Sequence, residues 1–579
     1  MLVALLLALA PGWGMPQPAL DLPRDEDDDF VLETMAVLEA NPLDINRVGP
    51  DELLAIPWLD PVLAWRLVAY RDSVGRFRSL QELRQVPGLT GDWLRLLEPY
   101  LTVRDRPEPM RVSGRLTLKT DALPPARDRW AGSAAVTARR GPWTAALTAE
   151  NDLGEPTLPD WLGGSVAFDA GKSQLCAGDY TFGSALGLVF SGPHRRFADR
   201  AGTTPRGPSF VRPLGAPLEG RALRGLAGEY ARGGWTMAGF GSWAARSAVL
   251  GDDGAVRRVR YDGRHDDSLT LAGRQAVDEY AAGARAGYGW RQSRLGLNLG
   301  RVEYAPGIAP AESLRSFHGR ALSFGSVGFD WLSRPYRLAA ELAGSTGGGV
   351  AAAAAVEGTW DGFRLALGAE ARQARYFAPL GRWQSTTGRY DRVSARARVR
   401  WNPGPVAVSV AASSYRDYLA DSLPARLGGE VAVPFGPVRL ALGLEERYRL
   451  DEPLFRRAHA ALRWQPVKQL GLAVEYEDGH PAAGPARGRA LALRAELGVG
   501  PVKARAGVGR FEVAGNARMY FSEPAVFGPS RVYSTAADGW RWHGAVGTRL
   551  GPGRVGLSAG YAAGPEPDWD MAFRLEAGS

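Results

Sequence analysis

The sequence predicts a mainly β protein: a large antiparallel transmembrane β-barrel of about 24 strands, with a small all-α domain at the N-terminus. Three observations predict this fold. Apolar and polar residues alternate from Arg111 onward with the period of two that a strand with two different faces requires. Strand-like stretches recur every ~15 to 20 residues in that region. The chain also has 73 glycines and 45% hydrophobic residues, yet no run after Ala10 approaches the ~20 apolar residues of a spanning helix.

The first residues predict export. Residues 1–10 are apolar and contain Ala8-Leu9-Ala10, a small-x-small cleavage pattern, so we expect a secretory signal peptide there, although a basic n-region is missing. An ordinary buried helix is the alternative. Residues 11–29 are expected to form a linker, which carries an acidic run from Asp25 to Asp29.

Cysteine content and charge narrow the function classes. The single cysteine, Cys176, excludes an intramolecular disulfide and is expected to serve packing. The formal net charge of +8 is spread along the whole chain, so it is weak evidence for a nucleic-acid partner.

Residues 30–103 are expected to form the helical domain. Residues 30–39 have the apolar spacing of one amphipathic helix, and four helix starts follow, at Gly49-Pro50, Asp60-Pro61, Ser79 and Thr90. Ser79 and Glu82 have the spacing of a capping box. The expected buried positions of the four helices are Leu53, Leu54, Ile56, Val62, Leu63, Leu67, Val68, Tyr70, Leu83, Val86, Trp93, Leu94, Leu97 and Leu101.

This layout resembles the tandem helix-hairpin-helix domain of the periplasmic competence-type DNA receptors over about 60 residues. The matching stretches are Asp44-Ile45-Asn46, Asp51-Glu52-Leu53-Leu54, Ala69-Tyr70-Arg71, Gly75-Arg76-Phe77, Leu80-Gln81-Glu82-Leu83, Val86-Pro87-Gly88-Leu89 and Leu96-Leu97-Glu98-Pro99-Tyr100-Leu101. The resemblance implies hairpin loops whose backbone N–H groups approach a DNA phosphate.

The two hairpin loops differ in how well they suit a phosphate. The first, Pro57-Trp58-Leu59-Asp60, has no glycine and carries a carboxylate, so it should repel DNA. The second runs from Pro87 to Gly91 and keeps two glycines. The candidate phosphate contacts are therefore Gly88, Leu89, Thr90, Gly91, Arg71, Arg76, Arg78 and Arg84.

Charge argues against DNA as the main partner of this domain. Residues 44–103 contain seven arginines, no lysine and eight acidic residues, a net charge of −1. A DNA-binding module normally presents a basic face. The alternative, favoured by the charge, is an adaptor that docks on a periplasmic protein partner or plugs the barrel.

Residues 104–579 are expected to form the barrel. Clear alternation marks residues 363–372, 394–401, 437–445, 470–477, 502–509 and 569–577 as strands. A soluble β-sandwich would alternate too, but aromatic residues at expected strand ends favour a membrane barrel; they are Trp143, Trp401, Trp464 and Tyr561. The expected location is the outer membrane, with outer-membrane lipid around the barrel and the helical domain in the periplasm.

The longest irregular stretch, residues 191–220, is the candidate pore constriction. Two interpretations stay open: an inward-folded loop that selects anions, or a surface loop. Its cations are Arg195, Arg196, Arg200, Arg206 and Arg212. The flanking stretches, residues 177–183 with Gly187-Leu188 and residues 224–227, resemble a family of bacterial envelope proteins with helix-hairpin-helix domains and long β regions, which supports the architecture.

The sequence predicts no enzyme, metal or cofactor. Residues 556–560 match the nucleophile-elbow pattern but lie in an alternating stretch without a following helix. Gly171-Lys172-Ser173 lacks the first glycine of a phosphate-binding loop. The six histidines have no metal-ligand spacing. Three functions remain: a channel for small solutes with the hairpins as adaptor or plug, a membrane anchor that recruits a partner, and DNA binding or uptake.

Overall fold

The computed structural model describes two units of the chain. The described residues are 38, 42–46, 48, 53, 56, 59, 61–75, 77–87, 89, 94, 97–103, 111–120, 130–152, 159–170, 173–191, 210–215, 220–232, 234–261, 263, 265, 268–290, 292–311, 316–333, 335–360, 362–381, 392–402, 406–417, 424–449, 452–467, 469–481, 487–514, 519–523, 531–535, 538–550, 553–563 and 568–578. The predicted signal peptide and linker lie outside these residues, as do most residues of the helix expected over 30–39.

The N-terminal unit is a small helical domain with its own core. Its regular elements are strand β1 (Leu43–Asp44), helix α1 (Pro61–Val74), a 3-10 helix η1 (Leu80–Gln85) and strand β2 (Leu101–Thr102), which pairs parallel to β1. α1 begins at the predicted proline and ends before Gly75, whose φ of 110° suits a helix C-terminus. The core includes Leu38, Ile45, Leu53, Ile56, Leu63, Leu67, Phe77, Leu83, Val86, Leu89, Leu94, Leu97 and Leu101.

Side chains tie the start of this domain to its middle. The amide of the buried Asn46 donates to the carbonyl of Phe77 at 2.7 Å and accepts the Phe77 N–H at 2.8 Å. The guanidinium of Arg71 donates to the carbonyls of Ile45 and Val48 at 3.0 and 2.7 Å. These bonds satisfy backbone groups between the helices and fix the crossing of the first segment over α1.

The predicted capping box at Ser79 is wrong. The segment is a 3-10 helix, the Ser79 side chain makes no cap hydrogen bond, and Glu82 accepts the N–H of Arg78 instead. The apolar residues explain the difference, because Leu80, Leu83 and Val86 are spaced by three. A helix with three residues per turn aligns such positions on one face, and both Leu83 and Val86 are buried.

The second unit is a β-barrel. Its strands are β3 (Arg111–Thr120), β4 (Trp130–Arg140), β5 (Trp143–Asn151), β6 (Trp161–Asp169), β7 (Ser173–Phe182), β8 (Val211–Pro213), β9 (Leu223–Arg232), β10 (Trp235–Leu250), β11 (Val256–Arg260), β12 (Val277–Trp290), β13 (Ser293–Ile308), β14 (Gly319–Ser333), β15 (Tyr336–Ser345), β16 (Val350–Trp360), β17 (Phe363–Arg372), β18 (Arg392–Trp401), β19 (Ala407–Asp417), β20 (Pro424–Phe435), β21 (Val438–Arg449), β22 (Glu452–Val467), β23 (Leu470–Pro481), β24 (Arg487–Val499), β25 (Val502–Ala514), β26 (Met519–Glu523), β27 (Arg531–Thr535), β28 (Gly539–Leu550), β29 (Gly553–Ala563) and β30 (Asp568–Gly578). A short helix, α2 (Ser268–Ala272), precedes β12.

These strands close into one antiparallel ring. Among the described residues, twenty-four strands follow one another around it: β3–β7, β9, β10, β12–β25 and β28–β30. β30 pairs with β3 and closes the ring. β8 and β11 extend the edges of β7 and β10, and β26 pairs with β27 in a separate hairpin. The predicted barrel is confirmed; five of the six predicted strands lie within observed ones, and the sixth, residues 437–445, begins one residue before β21.

The two ends of the barrel differ. At one end, which we call the short-turn end, the strands from β4–β5 to β28–β29 are joined by only two to five residues. At the other, the long-loop end, connections reach 40 residues, the longest being 183–222. β3 begins and β30 ends at the short-turn end.

The outer face is apolar and framed by aromatic side chains. Leu226, Leu342 and Leu444 point outward and are 68%, 61% and 68% exposed. Outward aromatic residues gather near the short-turn end, at Trp143, Trp235, Tyr288, Trp290, Tyr336, Trp360, Trp401, Phe435 and Trp464, and nearer the long-loop end, at Trp243, Tyr280, Tyr476, Trp540 and Trp542. Trp235 and Trp243 on β10 are about 26 Å apart along the strand, or about 20 Å along the barrel axis at a tilt of about 40°, so both fall near the limits of the ~25 Å apolar band of outer-membrane barrels. The barrel is therefore an outer-membrane protein.

Candidate functional site

Of the predicted phosphate-binding residues, the structure describes Arg71, Arg78, Arg84 and Leu89. Leu89 is buried, and its N–H donates to the carbonyl of Val86 at 3.0 Å. Arg71 uses its guanidinium on backbone carbonyls within the domain, whereas Arg78 and Arg84 are exposed. The remaining candidates, Arg76, Gly88, Thr90 and Gly91, lie outside the described residues.

Most of the predicted constriction also lies outside the described residues, including Arg195, Arg196, Arg200 and Arg206. Arg212 is described: it lies on β8, opposite Thr181 of β7. The stretch that the sequence marks as irregular therefore contains a strand. The N–H groups of Phe210 and Val211 both donate to the carboxylate of Glu229 on β9, at 2.5 and 3.0 Å.

The two flanking sequence stretches meet in the barrel wall. Gly178 and Gly225 are register partners on β7 and β9, with φ values of 94° and 154° that favour glycine. The buried Asp179 carboxylate accepts two hydrogen bonds from Arg224, at 2.7 and 3.0 Å. The buried hydroxyl of Tyr180 donates to the carbonyl of Gly241 on β10 at 2.7 Å. These residues turn the end of β7 toward the lumen.

Residues 183–191, which we call the lumenal loop, lie inside the barrel. The N–H of Ser184 donates to the carbonyl of Phe190 at 2.9 Å and closes the loop. The fully buried ring of Phe190 packs edge-on against Phe240 and Phe324 of the inner wall, with ring centroids 5.5 and 6.0 Å apart. A Cβ at Gly300, on the inner face of β13, would lie 2.9 Å from this ring. The small inner residue thus makes room for the loop.

Two anchors hold the backbone of Leu188 in the lumenal loop. Its N–H donates to the Glu341 carboxylate of β15 at 3.1 Å, and its carbonyl accepts the Tyr376 hydroxyl at 2.9 Å. The next contact is backbone to backbone, from the N–H of Ser191 to the carbonyl of Leu380 at 2.9 Å. The backbone polar groups of Leu188 and the N–H of Ser191 therefore find their hydrogen-bond partners in the barrel wall and in residues 376–381.

A chain of polar side chains on the inner wall leads to the first anchor. The hydroxyl of Ser326 donates to Glu341 at 2.6 Å, Asn298 donates to Ser326 at 2.9 Å, and Arg285 donates to Asn298 at 3.3 Å. The guanidinium of Arg285 also lies 4.4 Å from the centre of the Phe210 ring. The chain fixes the Glu341 side chain and links the lumenal loop to the segment before β8.

A buried ion pair holds residues 220–222, which lead into β9. The guanidinium of Arg246 lies 2.8 Å from the Glu279 carboxylate, and both side chains are buried. Arg246 also donates to the carbonyls of Gly220 and Ala222 at 2.8 Å each. Burial, reinforced by the Glu279 charge, raises the pKa of Tyr261 well above its ordinary value. Its hydroxyl therefore stays protonated and donates to Glu279 at 2.7 Å.

The wall from β18 to β23 has a different inner face. Here inner polar side chains keep part of their surface in contact with solvent: Arg463 is 50% exposed, Arg447 38% and His459 33%. The ion pairs on this wall include Arg426–Glu445, Arg447–Glu445 and Arg457–Glu477, and Glu475 pairs with Arg494 of the neighbouring β24; a ring nitrogen of His459 lies 3.1 Å from Glu430. Three consecutive inner positions of β18 are arginines: Arg396, Arg398 and Arg400.

The sequence does not predict the lumenal loop or its anchors. The contact from Leu188 to Glu341 spans 153 residues and the contact to Tyr376 spans 188, so no local pattern reports either one. The usable signal is the run of small residues on inner positions of β12 to β16, such as Ala281, Gly283 and Gly300.

Two features are absent from the described part of the chain. No helix there combines the length and hydropathy needed to cross a bilayer. No three His, Cys, Asp or Glu side chains in the same ranges come together as a ligand set for a metal ion. Residues 556–560 lie within β29, as the sequence indicates, and Cys176 is a buried free thiol.

Comparisons with known proteins match both units. A family model described as a helix-hairpin-helix motif matches residues 39–102, which confirms the predicted motif. No curated protein sequence matches the chain.

Among solved structures, the translocation pore of the P pilus usher PapC is 11% identical and aligns over 81% of this chain and 99% of its own, with a TM-score of 0.38. OpdK with vanillate, from Pseudomonas aeruginosa, is 10% identical over 81% of this chain and 98% of its own, with a TM-score of 0.31. A ferric enterobactin receptor mutant from the same organism is 8% identical over 83% and 81%, with a TM-score of 0.39.

Proposed function

We propose that this protein is an outer-membrane channel in which small solutes cross along the charged side of the lumen. The lumenal loop fills the opposite side, and the helix-hairpin-helix domain acts as an adaptor or plug at the short-turn end. The observation that carries the proposal is the contrast within the inner wall. Inner residues of β12 to β16, among them Arg285, Phe324 and Glu341, are buried beneath or around the lumenal loop, whereas inner arginines of β21 and β22, Arg447 and Arg463, are partly exposed.

The size of the ring supports passage. With strands about 4.8 Å apart and tilted by about 40°, a circular ring of 24 strands measures roughly 48 Å between backbones. Ionised side chains are stable on the inner face only where water reaches them or partners neutralise them. Water along β18 to β23 explains the partial exposure of Arg447, His459 and Arg463 and leaves a polar path for solutes.

The direction of the chain supports the place of the helical domain. In barrels of this class the short turns face the periplasm. Since β3 begins at the short-turn end, the domain lies on the periplasmic side of the membrane. Its net charge of −1 over residues 44–103 favours a protein partner, or the barrel mouth itself, over DNA.

The test is conductance of the purified full-length protein in planar bilayers, with cysteines placed on the two faces of one strand. Ala461 is an inner residue of β22 and its neighbour Ala460 an outer one, according to their partners on β21. We expect a bulky membrane-impermeant thiol reagent to label Ala461→Cys and reduce the single-channel current. Ala460→Cys is the matched control, and native Cys176 is buried.

Two outcomes would overturn the proposal. Reconstituted, folded barrel that gives no conductance at any voltage would leave the membrane-anchor function in its place. Equal labelling of the two cysteines would mean that the β22 inner face does not line a water-filled path.

A second candidate function, DNA binding, is favoured by the helix-hairpin-helix match at residues 39–102 and by the two exposed arginines beside η1, Arg78 and Arg84. Its test is DNA binding by the full-length protein in detergent at two salt concentrations. Binding that falls with salt and is lost in Gly88→Asp, but is retained in Ser73→Asp at an exposed position of α1 outside the hairpin loop, would support it.

A further inference from the structure

The short-turn end of the barrel carries a repeated basic position. In most of the described hairpins at that end, the inner residue one register pair away from the turn is an arginine or a lysine. We call this set the basic collar: Arg139, Arg294, Arg337, Arg364, Arg400, Arg439, Lys503 and Arg554. The residues come from eight hairpins distributed around the ring, so the cations surround the mouth rather than cluster on one strand.

The face on which these residues lie follows from the pairing. Arg294 is the register partner of Asp330, and Asp330 is the partner of Ala339, which is buried on the inner wall. Partners across an antiparallel pair share one face of the sheet. Register partners followed in this way from strand to strand place each collar residue inside the barrel.

Several collar residues stand directly opposite another arginine in the strand register. Arg364 of β17 is the register partner of Arg400 of β18, and Arg439 of β21 is the partner of Arg463 of β22. Like charges directly opposite each other across two strands are destabilising. The repulsion is reduced where water, counter-ions or carboxylates lie between the guanidinium groups.

Carboxylates offset the collar only in part. The guanidinium of Arg337 lies 3.5 Å from Asp330, and that of Arg364 lies 3.8 Å from Glu357. Asp330 is the register partner of the collar residue Arg294, and Glu357 is the register partner of Arg337, so these acids neutralise part of the collar from the neighbouring strands. On β18, Arg398 and Arg396 continue the positive charge inward from Arg400, opposite the small residues Ala366 and Gly368. Arg400 is exposed and Arg396 and Arg398 are partly exposed, so positive charge lines this part of the lumen.

We propose that the basic collar binds small oxyanions, carboxylates or phosphates, and selects anions for passage through the lumen. Arginine suits this chemistry because its planar guanidinium donates two parallel hydrogen bonds to a carboxylate or phosphate. A ring of arginine or lysine side chains is the usual device of an anion-selective pore. The inference rests on the proposed channel function and names its substrate class.

The experiment measures the reversal potential of the full-length protein in planar bilayers under a KCl gradient. We expect chloride to permeate better than potassium. Each neutralised collar charge should change the permeability of each ion about two- to threefold in opposite directions, the factor for a unit charge ~7 Å away at the dielectric constant of water. The permeability ratio should therefore fall about four- to ninefold. The test variants are Arg400→Gln, Arg439→Gln and the two combined. Selectivity should also fall at 1 M salt, where the screening length is only about 3 Å.

The controls separate charge from folding. Arg301→Gln removes a 58% exposed arginine from the outer face near the long-loop end and should leave the selectivity unchanged. Arg400→Lys should retain it, because the charge remains. Heat-dependent mobility on a denaturing gel checks that each variant is folded. Inorganic phosphate and citrate, added separately at the short-turn side, distinguish the two oxyanion classes by which of them reduces the chloride current.

The outcomes distinguish this inference from the channel proposal. A protein without conductance overturns the channel and the inference together. A conducting protein that prefers potassium, or whose preference for chloride survives Arg400→Gln combined with Arg439→Gln, overturns the collar as the selecting element and leaves the channel intact. Selectivity without a reduction of current by phosphate or citrate overturns the binding of oxyanions.

Discussion

The hydroxyl of Tyr376 gives the sharpest test of the lumenal loop. Tyr376→Phe removes one oxygen atom and leaves the carbonyl of Leu188 without this hydrogen bond, which measures 2.9 Å between buried residues. Leaving a buried acceptor without its partner costs about 1–3 kcal/mol. If this cost destabilises the loop in its position against the wall, the fraction of molecules in which the loop has left the wall should rise about 5- to 150-fold.

The assay uses a buried position in the loop as a reporter. Leu186 is buried, so a thiol in Leu186→Cys reacts with a water-soluble maleimide only when the loop leaves the wall. The labelling rate follows the open population when opening is fast relative to reaction. A Cys176→Ala background removes the single native thiol. The matched control is Tyr476→Phe, at a half-exposed tyrosine on the outer face.

Glu341 provides an independent check of the same contact. Glu341→Gln keeps the shape of the side chain but removes the charge that the N–H of Leu188 and the hydroxyl of Ser326 both meet. Hydrogen bonds to charged groups are worth about 1.5–3 kcal/mol, so labelling should rise at least as much as in Tyr376→Phe. If both variants are labelled at the same rate as the reporter protein that keeps Tyr376 and Glu341, the assignment of Leu188 as the anchored residue is refuted.

Three further predictions concern stability. Gly300→Val should destabilise the barrel by about 1–3 kcal/mol, because its Cβ would crowd two phenylalanine rings, and urea unfolding followed by tryptophan fluorescence measures the loss. Asp179→Ala should lower the free energy of unfolding in the same assay by about 1–3 kcal/mol, since it removes a buried acceptor of Arg224. An unchanged unfolding curve would contradict that role. Asn46→Ala should cost about 2 kcal/mol or more, because the N–H and carbonyl of Phe77 lose their partner. That change should speed proteolysis of the helical domain and leave the heat-dependent mobility of the barrel unchanged.

Alternation predicts the strands well because it is a local property. The predicted strand at residues 363–372 coincides with β17, and the predicted strand at 569–577 lies within β30, which pairs with β3 to close the ring. Each residue of such a strand meets either lipid or the lumen, so its polarity is set by its own position. The ring size of about 24 follows from the spacing of these stretches along the chain.

Helix starts are predicted less well because packing competes with capping. Pro61 begins α1 as expected, since its fixed φ suits the first turn of a helix. At Ser79 the pattern of a capping box is present, but burying Leu83 and Val86 on one face favours a 3-10 helix. The burial of apolar side chains outweighs the capping bond, which contributes about 1 kcal/mol.

The interior of the lumen could be predicted only in part. The inner arginines of β18 are visible in the sequence, because alternation assigns Arg396, Arg398 and Arg400 to one face. The basic collar needs the turn positions as well, and these appear only when neighbouring strands are in register. The lumenal loop needs contacts across more than 150 residues, from Leu188 to Glu341 and Tyr376, and its own sequence has no regular pattern.

The packing of the lumenal loop decides how the channel works. Four of its apolar side chains, Leu186, Leu188, Val189 and Phe190, are buried against the wall. Exposing each would cost about 1.5–3 kcal/mol, or about 6–12 kcal/mol together, which corresponds to an unseated fraction of about 10⁻⁴ to 10⁻⁹. A loop this stable is a fixed partition, so in the proposed channel solutes would pass beside it along β18 to β23. Tyr376→Phe should therefore speed thiol labelling while the single-channel conductance stays the same. A conductance that rises together with the labelling would place the loop in the path of the solute and make it a gate.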